Sequence, residues 1–347
     1  MYSFVNDYSE LAHPNIMKAL ADSNFIQHPG YGVDDHCKTA AEYIKKTIGV
    51  SDADVHFVSG GTQANLLAAA AFLRPSDGII CAQTAHPNEL ETGALESTGH
   101  KLLLEPTVDG KLTVENIKHA YELNVDSVYC PNPAMVYIAN VSELGTVYSK
   151  KELEDLSAYC HNHGMLFYID GARIGSAIDC SDVTFEDYGR LCDAFYIGGT
   201  KNGALLGEAM VIVNDNLKTN FRRVLRQRGA MLAKGRVLGI QFEELFRDGL
   251  FMKLAHRANE AMDILREGIG KLGYEFLTES RSNQIFPIFS DKILRKIETK
   301  YQYTFHHETE DGRNCIRLVT CWATDFDQCH AFVEDLAKWT EEIKHNN

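Results

Sequence analysis

Short runs of consecutive apolar residues alternate with helix-period segments through the first two thirds of the chain. The runs are Val55–Val58, Gly78–Cys81, Leu102–Leu104, Ser127–Cys130, Leu166–Ile169, Ala194–Ile197 and Ala209–Val213. Several are apolar at successive positions rather than at every second one, which is the pattern of a strand covered on both faces. Between them, Thr62–Phe72, Val114–Glu122 and Lys150–His163 repeat apolar residues at the spacing of an amphipathic helix. Alternating β and α units predict an α/β fold, a mostly parallel seven-stranded sheet flanked by helices.

The pattern changes near residue 215. Helical stretches are predicted over Leu217–Phe246 and Leu250–Leu272, interrupted at Arg228-Gly229 and Asp248-Gly249. Strand-like pieces at Gln284–Phe289 and Ile316–Thr320 precede a terminal helix over Asp327–Lys344. Such an α+β tail, on a chain of 347 residues, predicts a second and smaller domain. The expected division is an N-terminal arm over residues 1–13, a large domain over 14–240 and a small C-terminal domain over 241–347.

Composition narrows the function classes. Against 34 basic side chains stand 48 acidic ones, a formal charge of −14, and no basic stripe compensates. Nucleic acid and anionic lipid are therefore not expected partners. No stretch approaches the roughly 20 apolar residues of a membrane span, and Met1–Asp7 lacks the basic-then-apolar pattern of a signal peptide. Nine cysteines, an odd number with no C-x-x-C pair, sit partly inside apolar runs. That usage points to a reducing cytoplasm, with neither a disulfide framework nor a metal site.

Three segments carry candidate chemistry. In Phe57–Asn65 a strand enters Ser59-Gly60-Gly61-Thr62 and a helix opens, a turn that suits phosphate but equally a plain helix cap. In Phe167–Arg173 an apolar run ends in Asp170-Gly171-Ala172-Arg173. A carboxylate there can meet a protonated ring nitrogen or can cap the next helix. In Phe195–Gly203 another run ends in Gly198-Gly199-Thr200-Lys201, where the lysine is either a surface amine or one poised to react. Taken together, a phosphate cradle, an acid and an amine, each after a strand, are the three parts that pyridoxal 5'-phosphate (PLP) chemistry requires.

These segments, with Asn6–Ser9, Gly30-Tyr31-Gly32, Ala85-His86 with Glu91, and Arg317–Thr320, resemble the low-specificity L-threonine aldolases. That family belongs to the β-eliminating lyase group of fold-type-I PLP enzymes, and the likeness spans nearly the whole chain. It implies a fold-type-I large domain and a PLP Schiff base on Lys201. It also implies that Asp170 meets the pyridine nitrogen, that Gly60, Gly61 and Thr62 hold the phosphate, and that His86 stacks on the ring. Ser9, Arg173 and Arg317 would bind the substrate carboxylate, with Arg173 also near the cofactor; Tyr31 would line the pocket and Lys234 would reach a phosphate. The proton acceptor is open among Glu143, His86 and His28. The implied reaction is aldol cleavage of a β-hydroxy-α-amino acid such as L-threonine or L-allo-threonine to glycine and an aldehyde. Another PLP lyase, racemase or transaminase acting on a small amino acid would use the same parts. A homodimer or homotetramer with shared active sites is implied.

Overall fold

In a computed structural model, which describes residues 1–345, six of the seven apolar runs become strands of one sheet. The chain opens with β1 (Tyr2–Ser3). The sheet comprises β2 (Asp54–Val58), β3 (Asp77–Ala82), β4 (Lys101–Glu105), β5 (Asn132–Ala139), β6 (Leu166–Asp170), β7 (Ala194–Gly198) and β8 (Glu208–Ile212). The strand order is β2-β8-β7-β6-β5-β3-β4. Only β8 runs against its neighbours; the other pairs are parallel. The sheet's C-terminal edge thus collects the loops after β2, β5, β6 and β7, together with the first residue of the reversed β8.

The seventh expected strand is displaced. Ser127–Cys130 lies in a turn, with Val128 and Tyr129 92% and 95% exposed, and the strand begins at Asn132. An apolar run holds a strand only where another layer covers it, and nothing covers this one. The true strand carries Pro133 near its start, a position a strand tolerates.

Helices fall close to the periodic segments: Gly61–Phe72, Val114–Asn124 and Lys150–Asn162. The long stretch after residue 215 divides into Asp215–Lys218, Phe221–Gln227, Arg236–Arg247 and Leu250–Lys271. The large core takes in Phe242, Leu245, Phe251 and Leu254. A separate core begins at Ala261 on the same last helix and includes Met262, Leu265, Phe289, Phe332 and Leu336. The change of core therefore lies within Leu250–Lys271, beyond the expected division after residue 240. The expected N-terminal arm also joins this second core, because Phe4 is fully buried in it.

That second core is covered by β9 (Gln284–Ile285), β10 (Ile288–Phe289), β12 (Thr304–Glu308) and β13 (Asn314–Val319), while β11 (Tyr301–Gln302) pairs with β1 in parallel. Side chains alternate across a strand. Ile316 and Leu318 of β13 enter the core, so Arg317 between them is turned to the opposite face. Among the described residues no helix is long and apolar enough to cross a membrane.

Candidate active site

Asp170 ends β6 and is 4% exposed. A carboxylate so buried needs donors to remain charged, and four surround it. Tyr137 and Asn65 donate to Oδ2 at 2.6 and 3.0 Å, and Tyr196 and the Ala172 N–H donate to Oδ1 at 2.5 and 3.0 Å. Burial alone would raise its pKa, but these donors hold it below the ordinary carboxylate value. The strand ladder delivers them. Tyr168 and Asp170 share one face of β6, and Tyr137 pairs with Tyr168 across from β5. The backbone tip leaves no room for a larger residue, because a Cβ on Gly171 would lie 1.9 Å from the Tyr196 carbonyl.

Lys201 stands in the turn after β7, the next strand over. Burial, then the nearby charge of Arg173, lowers its pKa below that of an ordinary lysine, which enriches the nucleophilic amine. On the other side of β7, β8 begins with Glu208, whose Oε2 accepts the Gly199 N–H at 2.7 Å. Burial pushes the Glu208 carboxyl up to about 7.

After β2 the chain turns through Gly60 into the helix Gly61–Phe72. No side chain caps that helix, so Thr62 is not its N-cap and the first-turn amides are free of side-chain bonds. A Cβ on Gly61 would come 2.7 Å from the Tyr196 hydroxyl, the same hydroxyl that holds Asp170.

His86 donates or accepts through Nδ1 to Glu91 at 2.8 Å, and Glu91 also receives Asn65 Nδ2 at 2.9 Å. Burial pulls the His86 pKa down, but the Glu91 hydrogen bond and the charges of Glu143 and Asp170 outweigh it and raise it above the usual value. Glu143, in the loop after β5, is raised by burial despite the opposing charges of His86 and Arg173.

Arg173 forms a buried bidentate pair with Asp7: Nε to Oδ2 at 2.7 Å and Nη2 to Oδ1 at 3.1 Å. Asn283 adds a third bond to Asp7 at 3.0 Å. Arg317 approaches from β13 with one long bond, Nη2 to the Val5 carbonyl at 3.4 Å, and its buried Nε has no partner. Burial and the like charge of Arg173 lower its pKa. An unpaired guanidinium N–H beside a second arginine is an arrangement that favours an incoming carboxylate.

One cavity of about 280 Å³ brings Gly60, Gly61, Thr62, His86, Glu143, Asp170 and Lys201 together. Six expected residues do not line it: Arg173 and Arg317, in the contacts just described, and Ser9, His28, Tyr31 and Lys234. Ser9 is exposed and donates to Asn6 at 3.0 Å, while its neighbour Tyr8 reaches the cavity. Tyr31, held at φ +60°, lines a different pocket under Arg226, and Lys234 is exposed. Sequence reasoning gave no role to Asn65, Glu91, Tyr137, Tyr196, Asp7 and Glu208. A polar tip inside an apolar run, as at Tyr137 and Tyr196, was the available signal for two of them.

The family described as beta-eliminating lyase matches residues 12–344. The low specificity L-threonine aldolase of Pseudomonas aeruginosa is 30% identical over 339 residues, which cover 95% of this chain and 95% of that protein. A solved threonine aldolase from Leishmania major superposes with a TM-score of 0.96 at 45% identity, covering 98% of this chain and 100% of that one. Aspartate aminotransferase of Thermus thermophilus, 15% identical with a TM-score of 0.74 over 98% of this chain and 91% of its own, shares the fold. With its strand-tip acid and amine in one cavity and a match along almost its full length, the chain belongs to the β-eliminating lyase family.

Proposed function

We propose that this protein binds PLP through Lys201 and cleaves a β-hydroxy-α-amino acid of the threonine type to glycine and an aldehyde. The observation that carries this reading is a buried, charged Asp170 and a half-buried Lys201 of lowered basicity, which line one cavity from adjacent strand ends. The residues fit the group. Gly60, Gly61 and Thr62 would hold the phosphate at uncapped helix amides, Asp170 the ring nitrogen, His86 the ring face and Lys201 the aldehyde carbon. Bound there, PLP supplies an electron sink for the substrate's Cα.

The remaining work falls to the chain's own side chains. Arg317, with its unpartnered Nε, and Arg173 would grip the amino acid's carboxylate, and this grip selects which bond at Cα is aligned for cleavage. Asp7 holds Arg173 in place. Glu143, its pKa raised by burial, is suited to accept the β-hydroxyl proton at neutral pH, with His86 as its neighbour across the cavity. The Pseudomonas aeruginosa and Leishmania major relatives carry threonine aldolase in their names, which supports this substrate class.

We further place the enzyme in the cytoplasm as a homodimer or homotetramer. Tyr31 and Lys234 lie outside their own chain's cavity, and a second copy could present them to a neighbouring site. Leu11 and Phe25, 70% and 94% exposed, support a covered face in this region.

The direct test supplies purified protein and PLP with L-threonine and L-allo-threonine. Acetaldehyde and glycine in equal amounts are expected. Ammonia with 2-oxobutanoate in their place overturns the aldolase reading.

A further inference from the structure

Three metal-ligand side chains converge on the small sheet, outside the active-site cavity. β12 carries His306 and His307 in succession, and β13 carries Cys315. Consecutive side chains of a regular strand point to opposite faces. Here the register slips between Phe305 and His307, and the resulting bulge brings the two imidazoles together with their Nδ1 atoms 2.6 Å apart. His307 pairs directly with Cys315 across the two strands. One ligand atom from each of the three lies within 4.8 Å of the other two.

We propose that His306, His307 and Cys315 form a binding site for a divalent transition metal of the zinc class. The donor set decides the class: two imidazoles and a thiolate suit Zn²⁺, Co²⁺ or Cu²⁺, whereas Mg²⁺ and Ca²⁺ want oxygen ligands. No carboxylate joins the group among the described residues. Its parts are held in place. Cys315 is fully buried and has only a weak sulfur contact, 3.8 Å to the Phe286 carbonyl, and the Phe286 ring packs edge-on against His306 at 5.2 Å.

Tetrahedral zinc, with metal–nitrogen bonds of about 2.0–2.1 Å and metal–sulfur of about 2.3 Å, separates its ligand atoms by about 3.3–3.6 Å. From 2.6 Å the imidazole pair opens by about 0.7 Å to reach that value, a small ring rotation on an exposed strand. Both imidazoles bind as neutral rings through a lone pair. The Cys315 thiol gives its proton to solvent as the sulfur–metal bond forms, so the site gains one net positive charge. Three protein ligands leave the fourth position to water or to an outside ligand. The motif is invisible to spacing rules because a bulge and a cross-strand pair assemble it, in place of a C-x-x-C or H-x-x-H repeat.

The test uses tag-free holoenzyme stripped with a chelator and titrated with Co²⁺ as a spectroscopic probe. One equivalent per chain is expected, with thiolate-to-cobalt charge-transfer absorption that added Zn²⁺ abolishes. Cys315→Ser removes the charge-transfer band, and a His306→Asn/His307→Asn double variant weakens binding at least tenfold. Circular dichroism and elution volume show that each variant is folded, and the histidine pair, one exposed and one half-buried, is the safeguard should the buried serine disturb the sheet. No charge-transfer band, or one that survives unchanged in either folded variant, overturns the proposal and assigns the cobalt to another cysteine or to the cofactor.

Discussion

Replacing Tyr196 by phenylalanine removes one oxygen and keeps the ring beneath Gly61. The lost contact is a 2.5 Å hydrogen bond from the hydroxyl of Tyr196, a residue 1% exposed, to the carboxylate of Asp170, a residue 4% exposed. A hydrogen bond to a charged group contributes about 1.5–3 kcal/mol. Losing that donor should raise the Asp170 pKa. Tyr137, Asn65 and the Ala172 N–H remain, so the carboxylate stays ionised at neutral pH and reduced activity persists. The sign follows from the depressed pKa. Asp170 stabilises the fold above its ordinary value of about 3.9, and that stabilisation is lost as pH falls through the lower folded value. The deficit of Tyr196→Phe is therefore complete at pH 7 and shrinks below about pH 4. The assay is guanidinium unfolding of the apoprotein at pH 7, at equal protomer concentration, in native and Asp170→Asn backgrounds. Tyr188→Phe is the control: Tyr188 accepts from the neutral Asn140 amide at 2.8 Å and should lose only about 0.5–1.5 kcal/mol. Equal losses for Tyr196→Phe in both backgrounds, or a loss no larger than the control's, would refute the claim that the phenol serves a charge.

Other substitutions test the rest of the site. Gly61→Ala drives a Cβ to within 2.7 Å of the Tyr196 hydroxyl, so PLP retention measured by dialysis should fall by at least tenfold, and wild-type retention would contradict the close approach. Glu91→Gln removes the carboxylate whose hydrogen bond raises the His86 pKa; that pKa should drop in an NMR titration. The stabilisation His86 contributes below its ordinary value of about 6.5, which disappears as pH rises through the raised folded value, should shrink with it. Arg317→Ala should lower kcat/KM for the amino acid by about 10- to 150-fold, mostly through KM, as a lost charged hydrogen bond of about 1.5–3 kcal/mol requires. An unchanged KM in steady-state kinetics would remove Arg317 from the carboxylate clamp.

Local pattern was enough wherever local pattern is the cause. A strand buried on both faces must be apolar along its length, and a polar residue at its tip is conspicuous; hence Asp170, Lys201 and the Gly60-Gly61-Thr62 turn were legible. The same rule misplaced Ser127–Cys130, since an apolar run in a sequence does not say whether anything packs over it. It also hid Asn132–Ala139, and with that strand the donor Tyr137.

The sequence by itself determined the alternation of strands and helices, and with it which residues stand at strand ends. Only the tertiary structure decided what those residues meet. Tyr137, Tyr196 and Asn65 close on one carboxylate because β5, β6 and β7 are neighbours in a particular register, with the helix Gly61–Phe72 packed beside them. Asp7 finds Arg173, and Val5 meets Arg317, because β1 and Phe4 anchor the chain's start to a core formed near its end. Contacts between residues this distant along the chain depend on strand order and domain packing, which no periodicity within a short window can encode.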